Sequence, residues 1–218
     1  MTPLPPNATD RPLLALVERA RELGFFGPAP VTTHLDHARA FAEVVEAARP
    51  GSLPGSVVDL GSGGGIPALA LALRWTSTPF LLVESQLKRA EFLRSAVRQL
   101  GIEARVIVVA ERAESLARTS MSRGEHDLVT ARGFGPPGAV AECAAPFLRP
   151  GGLLVVSEPP PGGARDRERW PSEGLAHVGM GPARSAGSRY RFVVISQDAP
   201  CPGRFPRRVG VPMKRPLF

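Results

Sequence analysis

The stretch VVDLGSGGGIP (residues 57–67) decides the fold. VVDL reads as a buried strand, GSGGG as a bare turn, and IPALALALR (residues 66–74) as the opening of a helix. Glycines in that position let a ligand approach the backbone, and the helix start supplies N–H groups that lack intrahelical partners. Open α/β sheets bind ligands at the C-terminal ends of their strands, which makes this turn the expected site. A glycine-rich turn without a ligand is the plain alternative.

Outward from this stretch, short Val- and Leu-rich runs recur: SVVDL, FLLVE, ARVIVVA, HDLVTAR and GLLVVS. Between them lie segments such as SQLKRAEFLRSAVRQLG with an apolar stripe at helical spacing. Strands alternating with helices imply an α/β fold with a doubly wound, mostly parallel, Rossmann-like sheet. RYRFVVISQ (residues 189–197) reads as one more strand, an antiparallel edge. Upstream, PLLALVERARELG (residues 12–24) and residues 35–49 read as two helices, the second stopped by Pro50 and Gly51.

The expected organisation is a loose tail over residues 1–10, a helical extension over 11–50, the ligand-binding domain over 51–200 and a basic tail over 201–218. EPPPGGARDRERWPSEG (residues 158–174) reads as a surface loop.

Composition narrows the function. The 218 residues are 43% hydrophobic and 22% charged, enough for one domain with an appendage. No apolar run approaches the roughly 20 residues needed to span a bilayer, and the start lacks the charged-then-apolar order of a secretion signal. Cys143 and Cys201 have no partner at metal-ligand spacing, so neither a metal nor a disulfide framework is expected, and a reducing cytoplasm is the default. No uncapped apolar stripe calls for a partner copy, which leaves a monomer as the default. The net charge of +7 favours a polyanionic partner through phosphate neutralisation.

The loop itself discriminates among ligands. A dinucleotide fingerprint needs G-x-G-x-x-G, but Ile66 stands where the third glycine or an alanine belongs. The pattern present is D-x-G-x-G-x-G, from Asp59 through Gly61 and Gly63 to Gly65. It resembles motif I of the class I S-adenosylmethionine-dependent methyltransferases. A cationic sulfonium ligand tolerates the Asp59 carboxylate, whereas a pyrophosphate is repelled by it. Glu84, at the tip of the next strand, is placed to accept hydrogen bonds from ribose hydroxyls, with Ser85 beside it.

A narrower resemblance covers roughly residues 57–218. LVESQLKRAEFLRSAVRQLGI, ERAES, HDLVTARGFG, APFLRPGGLLVV and the tail RFPRRVGVPMKRPLF follow the order of the RsmG (GidB) family of 16S ribosomal RNA guanine-N7 methyltransferases. The resemblance implies that Gly61, Ser62, Gly63 and Gly65 line the methionine end of S-adenosyl-L-methionine. It also implies that Glu84 takes the ribose, that Ala113 and Glu114 border the adenine, and that Arg132 faces the methyl-transfer cleft as its catalytic residue and contacts cofactor and substrate.

For the RNA, the expected contacts are Lys88 and Arg89 at a helix start, and Arg207, Arg208, Lys214 and Arg215 in a tail that proline and glycine keep extended. Phe134 and Phe205 are the aromatic residues best placed to stack on bases. The chain departs from the family in TTHLDHARAF, where His34 lacks a preceding arginine and is expected to serve helix packing. It departs again at Ile66, and at Ser157 and Glu158 in place of Lys-Gly.

Two classes of function therefore stand. One is an S-adenosylmethionine-dependent enzyme acting on small-subunit ribosomal RNA or on a different substrate. The other is a non-catalytic RNA-binding or ribosome-assembly module on the same fold.

Overall fold

The computed structural model describes residues 11–119, 122–159 and 169–218. The tail expected over 1–10 and the middle of the loop expected over 158–174 lie outside the described residues. Two helices, α1 (Arg11–Glu22) and α2 (Val31–Ala48), precede the first strand, β1 (Val57–Leu60). There follow α3 (Ala68–Arg74), β2 (Phe80–Val83), α4 (Leu87–Gln99), β3 (Val106–Val109), α5 (Ala113–Leu116), β4 (His126–Ala131) and α6 (Pro137–Ala144). A 3-10 turn leads into β5 (Leu148–Ser157), and α7 (Ser172–Ala176), β6 (Arg184–Ala186), β7 (Phe192–Ser196) and α8 (Val211–Lys214) complete the chain.

The strands form one sheet in the order β3-β2-β1-β4-β5-β7-β6. The first five run parallel, while β7 is antiparallel to both β5 and β6. This is the doubly wound sheet expected, with one correction: RYRFVVISQ does not form the edge. The three-residue β6 covers β7, and Arg184, Ser185 and Ala186 carry no apolar run that would announce a strand.

Alternation along the central strands sorts side chains into two cores. Val57 and Leu128 join α1 to α4 on one face, whereas Val58, Leu60, Val129 and Ala131 face α6, α7 and the chain's end. The helical extension belongs to the first core. In α1, Leu13, Leu16, Val17 and Ala20 are buried at helical spacing, and Phe41 of α2 meets Phe192 of β7 edge-on at 4.7 Å. Full burial of Phe41 contributes about 2 kcal/mol. α2 starts at Val31, four residues before the expected helix, because the apolar stripe that signals it begins only at Leu35.

The tail after residue 200 differs more. Rather than running extended, it packs on the second core through Phe205, Leu217 and Phe218 and forms α8.

Candidate functional site

β1 delivers the glycine loop to the C-terminal edge of the sheet. Gly61, Gly63 and Gly65 have φ of 65°, 54° and 94°, a region that side chains rarely adopt. Their surroundings differ. A Cβ at Gly61 would lie 2.8 Å from the Phe134 ring, and one at Gly65 would collide with Leu69, whereas one at Gly63 would meet only the Gly61 carbonyl at 3.6 Å. Two of the glycines admit close packing, and the third leaves an open face for a ligand.

Glu84 stands across from that face at the end of β2, buried, with its carboxylate accepting the Gly63 N–H at 2.9 Å and the Gln86 N–H at 2.8 Å. A carboxylate has about four acceptor positions, so room remains for two further donors such as ribose hydroxyls. Gly61, Glu84, Ser85, Ala113 and Glu114 line one cleft of about 170 Å³, to which Met213 of α8 also contributes. Glu114 is buried, and one of its oxygens accepts the Gly210 N–H at 3.0 Å.

Asp59 is wholly buried on the α2 side of the sheet, opposite its register partner Thr130, whose hydroxyl donates to it at 2.6 Å. The backbone carbonyl of Asp59 accepts the Ser62 hydroxyl at 3.1 Å, which ties down the start of the loop. Burial pushes the Asp59 carboxyl from an ordinary 3.8 up to about 6, against the Thr130 hydrogen bond. The raised value means that the stability contribution is complete below about pH 4 and is lost as pH rises through 6. Asp59→Asn keeps the acceptor for Thr130 and removes the charge. It should stabilise the ligand-free protein at pH 7.5 by on the order of 2 kcal/mol and bring little gain at pH 4. Urea unfolding at the two pH values checks this, and an equal gain at both would sink it.

Strand alternation sends Arg132, two residues beyond Thr130, to the same side. Its guanidinium donates to Nδ1 of His34 at 2.7 Å and lies over the Phe26 ring at 6.0 Å, while Phe26 stacks on His34 at 4.7 Å. Burial lowers the His34 pKa, and the nearby Arg132 lowers it further, so the ring is neutral with Nδ1 as acceptor. His34 was expected to serve helix packing. It is buried in α2 as such packing requires, and it also holds Arg132 in place, a contact between residues far apart in sequence.

A second cleft, about 320 Å³, lies between the ends of β4 and β5 and is lined by Arg132, Phe134, Ser157, Glu158 and Trp170. The Glu158 carboxylate accepts from Arg169 Nε at 2.7 Å and from Trp170 Nε1 at 3.1 Å. Gly133 and Phe134 border both clefts, which therefore adjoin.

The basic residues separate into two groups. Lys88, Arg208, Lys214 and Arg215 are exposed. Lys88 and Arg89 sit 6.0 and 5.4 Å from the Phe25 ring, and Arg89 also lines the first cleft. Arg207 is not a free cation: its guanidinium binds Glu142 of α6, with Nε to Oε1 at 2.8 Å and NH2 to Oε2 at 2.6 Å. A fully buried carboxylate needs such a partner, and the tail supplies it. Phe205 is core, while Phe134 stays at the clefts.

Sequence reasoning passed over Phe26 and Met213. The isolated acidic residue in PGAVAECA signalled that α6 needs a cation, but nothing local named which one. Among the described residues no group of three or more His, Cys, Asp or Glu could hold a metal ion, and no helix is long and apolar enough to cross a membrane.

Residues 31–158 match the family model described as rRNA small subunit methyltransferase G. The chain is 36% identical to the ribosomal RNA small subunit methyltransferase G of Rubrobacter xylanophilus over 94% of its own length and 80% of the relative's. It is 40% identical to the protein of that name from Deinococcus deserti over 74% and 68% of the two lengths. Among solved structures, an O-methyltransferase family protein from Burkholderia thailandensis shares the fold at a TM-score of 0.62 and 16% identity, covering 87% of this chain and 63% of that one.

Proposed function

The chain belongs to the rRNA small subunit methyltransferase G family, and on that basis we propose that it transfers the methyl group of S-adenosylmethionine to N7 of a guanosine in 16S ribosomal RNA. The observation that carries this reading is the pair of adjoining clefts at the C-terminal ends of the strands. One is walled by Gly61 at the start of the glycine loop and by Glu84, the other by Arg132 and Glu158, and Phe134 stands between them.

The residues of the first cleft fit the cofactor. The open face at Gly63 admits a ligand against the backbone, and Glu84 keeps acceptor positions for a ribose. When bound, S-adenosylmethionine supplies a methyl group on a cationic sulfonium that a nucleophile takes in line. Asp59, buried close to the loop, favours a cation there once ionised.

Guanine N7 has an exposed lone pair and no proton to lose, so the reaction needs no general base. The buried carboxylates nearest the loop, Asp59 and Glu84, are already engaged in hydrogen bonds, in keeping with that demand. What the protein supplies is placement of base against methyl donor, a contribution that reaches several kcal/mol when two reactants are held in line, about 7 or more in favourable cases. Arg132, steadied by His34 and Phe26, provides fixed positive charge in the second cleft, suited to an anionic nucleic acid. The exposed Lys88, Arg208, Lys214 and Arg215 extend that positive surface toward phosphates. The same reading puts the work of the protein in the cytoplasm, on the small ribosomal subunit, as a monomer.

Incubating the protein with radiolabelled S-adenosylmethionine and 30S subunits that lack guanine-N7 methylation tests the proposal. Label should enter 16S RNA. Calorimetric binding of the cofactor without any label in RNA would move the search to other acceptors.

A further inference from the structure

We infer that the end of the chain is a working part of the cofactor site, with Met213 forming part of the wall of the cleft that Glu84 also lines and the Arg207–Glu142 pair holding it there. The inference rests on the cofactor reading of that cleft and gives the tail a duty beyond RNA contact.

Four observations support it. Met213 lines the same cleft as Gly61, Glu84 and Ala113. Its thioether packs so closely on the chain after β4 that a Cβ at Gly135 would lie 2.7 Å from the sulfur. Gly210, in a left-handed conformation with φ of 79°, turns the chain into α8 and donates its N–H to Glu114, which lines the cleft beside Ala113. Both sides of this segment are anchored: Arg207 on Glu142 before it, and Phe218 after it in contact with Gly138 and Gly174, where any side chain would collide.

A segment fastened at both ends and carrying one flexible, polarizable side chain into a cleft is suited to close over a flat apolar ring. Thioethers pack well on aromatic faces. On the cofactor reading, which puts the nucleobase beside Ala113 and Glu114, the moiety that Met213 covers is the nucleobase and not the methionine.

Calorimetric titration of full-length protein with S-adenosylmethionine and, separately, with adenosine tests the assignment. Met213→Ala should weaken both ligands by about tenfold and in the same ratio, because the lost contact is to the part they share. Met213→Leu, which keeps the bulk, should hold wild-type affinity. If Met213→Ala melts more than a few degrees early, the comparison passes to Met213→Gln, similar in length but polar, which should weaken both ligands alike.

Wild-type affinity in both Met213→Ala and Met213→Gln would overturn the inference. So would a loss of RNA binding with the affinity for S-adenosylmethionine unchanged. Failure of the wild-type protein to bind S-adenosylmethionine is a different result, and it would overturn the cofactor reading itself.

Discussion

Gly63→Asp abolishes binding of S-adenosylmethionine and leaves the fold standing. The two halves of this expectation have separate causes. The fold survives because a Cβ at Gly63 meets nothing closer than 3.6 Å, and aspartate is among the residues that tolerate a left-handed backbone. Binding fails because the open space is the ligand's, and the new carboxylate enters it beside Glu84, which already accepts the Gly63 N–H. The backbone at residue 63 is within hydrogen-bond reach of Glu84, so the two carboxylates repel, and a ligand covering the loop takes away the water that screens them. The affinity should fall by roughly 100-fold or more, equivalent to about 2.7 kcal/mol. Calorimetry reads the affinity, and circular dichroism confirms the fold. Binding within a few-fold of wild type would show that the ligand does not lie on this face of the loop.

Arg207→Ala carries the largest expected effect on stability. The Glu142 carboxylate has no solvent exposure and accepts three groups of Arg207: the backbone N–H at 2.7 Å, Nε at 2.8 Å and NH2 at 2.6 Å. Removing the side chain leaves a buried charge with one backbone donor, a change that costs about 3 kcal/mol. In a protein of this size that is a fall in Tm of about 10 °C. The paired replacement Glu142→Leu with Arg207→Met, which removes both charges and keeps the volume, should recover most of the loss. Thermal melts of the two variants beside the wild type check the account. A loss under about 1 kcal/mol in Arg207→Ala would place the pair with ordinary surface ion pairs.

This ion pair also marks where the sequence stops being legible. The parallel strands could be read because each is written around a short Val- and Leu-rich run and the central β1 is buried on both faces, and the glycine loop because its spacing follows from the strand–turn–helix junction. β6 was missed because its three residues pair by backbone alone, and α8 because four residues carry no period. The Asp59–Thr130 contact follows from register, but register between β1 and β4 is set by packing across the whole sheet. His34 with Arg132, Glu142 with Arg207 and Met213 with the cleft are all contacts between distant segments. Composition and spacing carry no trace of them. The basic tail shows the consequence: its arginines looked interchangeable, yet one is half-buried on a carboxylate and its neighbour is in solvent.

The departures from the family pattern also acquire physical content. Glu158, which with Ser157 stands in place of Lys-Gly, is bound by Arg169 and Trp170 and forms part of the second cleft. His34, without its preceding arginine, still reaches across to Arg132. Glu158 lines the second cleft and His34 touches Arg132, which lines it too, whereas Gly61 and Glu84 line the first.

The most direct measurement follows label to a single atom. 30S subunits lacking the modification are treated with the protein and radiolabelled S-adenosylmethionine, and their 16S RNA is then extracted, digested to nucleosides and separated. The account predicts that the label runs with 7-methylguanosine. Label on any other nucleoside, or none in RNA from a preparation that binds the cofactor, would contradict it.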